Sequence, residues 1–219
     1  MAQTENKVSL IFGGIIIPLI LALLIYVFAV YLNVGGQFHI LGEGNIIAVI
    51  LVSGFAQMIV LGIPLILGLL WNKWAGGAAG FVMGGIYYVA NAGQYNGLFA
   101  TQGVTQYNFF GDISMLFYLV NAVIIGYMAG ALNNGSTNFK RMIGSGLTAS
   151  LMVAFIQAYL NYTVALKPAR DMAVASWATD PFLAVITNFL PAILLGIIVP
   201  IIAKVMTWYG IQPQRHAAY

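Results

Sequence analysis

The stretch that decides the fold is WNKWAGGAAGFVMGGIYYVANAG, residues 71–93. It opens on a charged, aromatic corner, Trp71 to Trp74, and continues as an apolar run punctuated by Gly76, Gly80 and Gly84, with Gly77 and Gly85 beside them. Glycines four residues apart leave one stripe of a helix without side chains. In water such a helix is penalised by about 1 kcal/mol per glycine relative to alanine. In a membrane the bare stripe lets a second helix approach closely, which offsets that cost. A long uncharged polar segment follows, QYNGLFATQGVTQYNFFGD, ending at Asp112. The stretch therefore reads as an inner turn, a glycine-faced transmembrane helix and an outer loop.

Composition agrees with that reading. Of the 219 residues, 61% are hydrophobic and 6% charged, against about 25% charged in soluble domains. This is the composition of an integral membrane protein. With no cysteine and two histidines, His39 and His216, disulfides and iron–sulfur clusters are excluded and a conventional multi-histidine metal site is not expected. The net charge of +3 comes from basic residues scattered at helix ends, a pattern that does not point to nucleic acid. No cleavable signal peptide is expected, because MAQTENK precedes an apolar run too long for a signal core.

Six apolar segments can cross a bilayer: residues 8–32, 45–70, 75–90, 113–132, 142–166 and 181–208. Each is near the roughly 20 residues that a membrane requires, and the third is the shortest. Spanning segments must satisfy their own backbone groups, so helices are the expected form. The expected architecture is all-α: a polytopic integral membrane protein, a single domain over 1–219, built as a bundle of six transmembrane helices. Lys7, Lys73, Lys140, Arg141, Lys204 and Arg215 fall on the side of the N-terminus; Lys167 and Arg170 fall on the other, beside Asp171 and Asp180. The positive-inside rule then places both termini in the cytoplasm and the chain in the cell membrane.

The polar side chains within the spans gather in their outer halves. Asn91 ends the third span, Asn121 lies in the fourth, Gln157 and Asn161 are four apart on the fifth, and Asn188 is two turns into the sixth. An amide in hydrocarbon needs a partner. Interhelical hydrogen bonds, each worth about 0.6 kcal/mol, are one use for them. Their clustering suggests another, a shared cavity open to the outside, closed by loops that carry Tyr95 and Trp177. Amides and aromatic rings together suit a flat polar organic molecule. The expected substrate contacts are Asn91, Tyr95, Asn121, Gln157, Asn161, Trp177 and Asn188. Glu43 and Asp112 are the acidic residues of the first two outer loops; Asp112 directly precedes an apolar run and is positioned to cap its helix.

There is no phosphate-binding loop, no HExxH and no GxSxG, and no carboxylate lies deep in a span. No enzyme activity, cofactor or catalytic residue is expected. A membrane-embedded enzyme is a rival class with little in its favour for want of deep ionisable groups. The other rival is a non-catalytic accessory subunit of a larger membrane complex.

WNKWAGGAAGFVMGGIYY (71–88), followed by an outer loop and DISMLFYLVNAVIIGYMAGAL (112–132), resembles the substrate-binding S components of energy-coupling factor vitamin transporters. Those proteins often carry a glycine-spaced third helix and a fourth helix ending in a GxxAG-like step, here Gly126 to Gly130. The family's first helix often carries AxxxA spacing for docking, whereas Ala22 and Ala29 here are seven apart. The resemblance implies a small chain that captures a vitamin-like molecule outside, then reorients when a coupling subunit and its ATPases act. Gly76, Gly80, Gly84, Gly126 and Gly130 would serve helix packing. The expected partners are membrane lipid, the small-molecule substrate and other membrane subunits.

Overall fold

The computed structural model describes residues 55–101 and 107–209, without the side chains at 55–57, 90, 91, 93–101, 183 and 187. The 8–32 span, the start of the 45–70 span, His39, Glu43, His216 and both termini lie outside the described residues.

Everything described is helix, turn or connection; among the described residues there is no strand. Six helices follow in order: α1 Phe55–Leu70, α2 Lys73–Thr101, α3 Ile113–Asn133, α4 Phe139–Thr163, α5 Lys167–Thr179 and α6 Pro181–Trp208, with a 3-10 turn, Phe109–Gly111, ahead of α3. Three are long and apolar enough to cross a membrane: Ile113–Asn133, Phe139–Thr163, and Ala184–Trp208 within α6.

The helix expected over 142–166 runs from Phe139 to Thr163, three residues earlier at each end, and two elements differ more. The helix expected over 75–90 runs from Lys73 to Thr101, so Gln94 to Thr101 are helical rather than loop. Nothing in QYNGLFAT forbids this: without proline, glutamine, tyrosine and asparagine lower hydropathy but do not break an α-helix, and the one glycine, Gly97, costs only about 1 kcal/mol. The expected loop after the fifth span contains α5, a 13-residue helix. Pro168 sits in its first turn, where a missing N–H costs nothing, and alanines fill its body.

The helices pack through two kinds of contact. A core of Leu65 and Leu69 from α1, Ile125 and Ala129 from α3, Met142, Ala149 and Val153 from α4, and Leu195, Val199 and Ala203 from α6 is buried. Beside it α2 and α3 meet almost backbone to backbone. A methyl group added at Gly76 would overlap the Gly126 carbonyl, one at Gly80 the Ala122 carbonyl, and one at Gly126 the Gly76 carbonyl. At Gly84 it would come 2.8 Å from the Ala122 side chain, and at Gly130 2.5 Å from Lys73 Cα. Gly68 of α1 also abuts the Gly126 carbonyl, so three helices converge there. A second close contact joins α4 and α6, where a methyl on Gly196 would meet Ser150 Oγ at 2.5 Å and Leu147 Cα at 2.8 Å.

The ends of the bundle differ in charge. At one end the α1–α2 corner, the α3–α4 turn and the end of α6 come together. Asn133 Nδ2 donates to the Leu69 carbonyl at 2.8 Å and the Ser136 carbonyl at 3.0 Å, and Lys204 Nζ donates to the Thr137 carbonyl at 2.8 Å. Asn134 and Gly135, with φ of 46° and 64°, turn the chain there, as residues tolerant of left-handed backbone do. Lys73 lies over the rings of Trp74 and Tyr127, at 5.6 and 5.7 Å. This end holds Lys73, Lys140, Arg141 and Lys204 and, among the described residues, no acid. The other end holds Asp112, Lys167, Arg170, Asp171 and Asp180.

Candidate functional site

The expected site residues lie towards the Asp112 end. That end is fixed by one buried carboxylate. Asp112 Oδ1 accepts from the Ser114 backbone N–H at 2.9 Å and its hydroxyl at 2.7 Å; Oδ2 accepts from the Tyr107 hydroxyl at 2.7 Å and the Leu166 N–H at 3.0 Å. The residue caps α3 and holds the α4–α5 junction against it. With four donors around two oxygens, the charge is compensated by hydrogen bonds in a place where an unpaired one would be very costly. Phe109 is buried beside Ala92 and Met115, with the Tyr88 ring tilted against it at 5.1 Å between ring centroids.

One to two turns further in, α3 and α4 share a strip of amides. Asn121 Nδ2 donates to Gln157 Oε1 at 2.7 Å, and Gln157 Nε2 donates to Asn161 Oδ1 at 2.8 Å and to the Ser114 carbonyl at 3.3 Å. Gln157 and Asn161 reach one another because residues four apart on a helix are neighbours. Asn121 is 3% exposed, whereas Gln157 and Asn161 are half-buried. The strip thus runs from a partly open end at Asn161 to a closed end at Asn121.

The Asn121 Oδ1 atom at the closed end is buried and has no hydrogen-bond partner. A buried acceptor left unsatisfied costs about 1–3 kcal/mol, so its persistence calls for an explanation. The Asn133 Oδ1 atom at the basic end shares this condition, but both bonds of its amide nitrogen go to backbone carbonyls at a turn, which gives it a structural task.

Of the expected contacts, Asn121, Gln157 and Asn161 are brought together. Trp177 is half-buried on α5. Asn188, also half-buried, donates to the Ala184 carbonyl of its own helix at 2.7 Å. Neither bonds to the strip. Asn91 and Tyr95 belong to α2, and their side chains lie outside the described residues. Ser114 is the participant that sequence reasoning missed, and it takes part through its carbonyl, for which a sequence carries no side-chain signal. Among the described residues no three His, Cys, Asp or Glu side chains gather to hold a metal ion.

Compared with known proteins, the chain matches no family model, no curated protein and no solved structure.

Proposed function

We propose that the chain is a transport protein: a six-span domain of the cell membrane, both termini cytoplasmic, that captures a small polar organic molecule from outside and hands it across the bilayer with a separate energising partner. It performs no catalysis. The S-component resemblance supplies the form of that partner, a coupling subunit with ATPases. Charge supports the orientation. The end with Lys73, Lys140, Arg141 and Lys204 and no described acid is the end the positive-inside rule keeps in the cytoplasm.

The observation that carries the reading is the amide strip. Three amides from two helices, at the end opposite the basic cluster, form a polar path from half-buried Asn161 to buried Asn121. Polar groups in a membrane span are costly and need a partner, and a bound polar molecule is one such partner. The test is thermal stability of the purified chain with and without a panel of vitamins. Stabilisation by one of them, lost in Asn161→Leu, is the expected result; no stabilisation by any compound rejects the reading.

One observation favours a second reading, the accessory subunit. Both polar atoms of Gln157 are already engaged within the protein, by Asn121, Asn161 and Ser114, as interhelical glue would be. A chain that is unstable when purified alone and binds nothing would support it.

A further inference from the structure

We propose that Asn121 Oδ1 is the receiving atom for a neutral hydrogen-bond donor, so that the molecule captured enters with an amide N–H, amine or hydroxyl leading, and not with a carboxylate. The inference rests on the capture reading above and narrows it to a class of ligand.

The argument starts from the Ser114 carbonyl, which can only accept. It receives Gln157 Nε2, so the orientation of the Gln157 amide is fixed: nitrogen towards Ser114 and Asn161, oxygen towards Asn121. Asn121 must then offer its nitrogen to Gln157 Oε1, which turns its own oxygen away from the strip. Asn161 must offer its oxygen to Gln157 Nε2, which leaves its own nitrogen over. The three amides are therefore aligned head to tail. An acceptor is left over at the buried end and a donor at the half-buried end, and such chains polarise one another in the same sense. A backbone carbonyl has set the polarity of a side-chain array.

Charge completes the case. Between Ile113 and Asn133 there is no lysine, arginine or acid, and the two basic residues of α4, Lys140 and Arg141, stand in its first turn at the far end. Asp112 is occupied by its four donors. A carboxylate led to Asn121 would set oxygen against its oxygen; the described basic residues at that end, Lys167 and Arg170, stand exposed on α5 and bond to none of the three amides. A carboxamide or lactam can offer its N–H to Asn121, or its carbonyl to Asn161, without bringing a charge. This is recognition by hydrogen-bond polarity in a strip whose own three side chains carry no charge, in which a mismatched group leaves buried atoms unpaired.

The experiment compares matched pairs on the full chain in lipid nanodiscs: nicotinamide against nicotinate, and benzamide against benzoate, at millimolar concentration by saturation-transfer NMR. The amides are expected to bind at least about tenfold more tightly than their acids, and Asn121→Leu is expected to abolish that preference. Because the preference is read on the wild type alone, a variant that fails to fold does not spoil the test. Equal or tighter binding of the acids overturns the inference while leaving capture intact. So does a vitamin that stabilises the protein through a leading carboxylate. If neither pair binds and no vitamin stabilises the chain, capture itself fails and takes the inference with it.

Discussion

Gly80 of α2 lies so close to Ala122 of α3 that a methyl group at Gly80 would occupy the space of the Ala122 carbonyl oxygen. The contact is backbone on backbone, so no side-chain rotation can relieve an added group. Gly80→Ala is expected to destabilise by about 2–3 kcal/mol, as overpacking of a tight interface does. The informative control is Gly144→Ala on α4, where an added methyl meets nothing within 4 Å. There the loss of glycine's unfolded-state freedom is expected to stabilise by about 0.5–1 kcal/mol. Unfolding in mixed detergent micelles reads both. Equal effects at the two positions would show that the α2–α3 approach is looser than described.

Asp112 offers a test of a different interaction. Asp112→Asn keeps the shape but sets an N–H₂ group where one of the oxygens accepts two bonds. If it replaces Oδ2, that donor faces the Leu166 N–H and the Tyr107 hydroxyl. Losing charge-assisted bonds in a buried site is expected to cost about 3 kcal/mol. Tyr107→Phe removes one donor and should cost about 1 kcal/mol. Thermal unfolding of the two variants should rank them in that order. The reverse order would assign the clasp to the tyrosine ring.

These two sites and the amide strip differ in how far the sequence discloses them. The glycine spacing and the capping position of Asp112 are local patterns, and local patterns are legible. Asn121 with Gln157 is less so: the residues are 36 apart, and hydropathy says that both are costly in a membrane without saying that they meet. The length of α2 escaped because apolar runs measure bilayer thickness, whereas helices end where backbone partners run out. The α5 helix escaped for the same reason. Its exposed, mixed composition has no apolar face long enough to register, although Pro168 and the alanines around it are ordinary helix-start chemistry.

Orientation can be tested directly because the chain has no native cysteine. Thr137 lies exposed at the basic end and Ser176 exposed on α5 at the other. A membrane-impermeant maleimide added to intact cells is expected to label Ser176→Cys and to label Thr137→Cys only after permeabilisation. Labelling of Thr137→Cys in intact cells would reverse the assignment of the cytoplasmic end.

Gln157 and Asn161 separate a binding strip from interhelical glue. Gln157 makes bonds to Asn121, Asn161 and Ser114, whereas among the described residues the Asn161 side chain bonds to Gln157 alone. Gln157→Leu therefore leaves the Asn121 amide nitrogen and the Ser114 carbonyl without their donor or acceptor and is expected to cost about 2–4 kcal/mol. Asn161→Leu leaves Gln157 Nε2 its bond to Ser114 and, at a half-buried position, is expected to cost about 1 kcal/mol or less. If the strip receives a ligand, Asn161→Leu weakens binding by about 1–3 kcal/mol despite that small loss of stability, because a ligand acceptor loses its donor. If the strip is glue alone, any fall in binding follows the fall in stability and Gln157→Leu shows the larger effect on both. Thermal unfolding and ligand titration of the same two variants distinguish the cases. An Asn161→Leu protein with unchanged ligand affinity would remove this residue from the binding site.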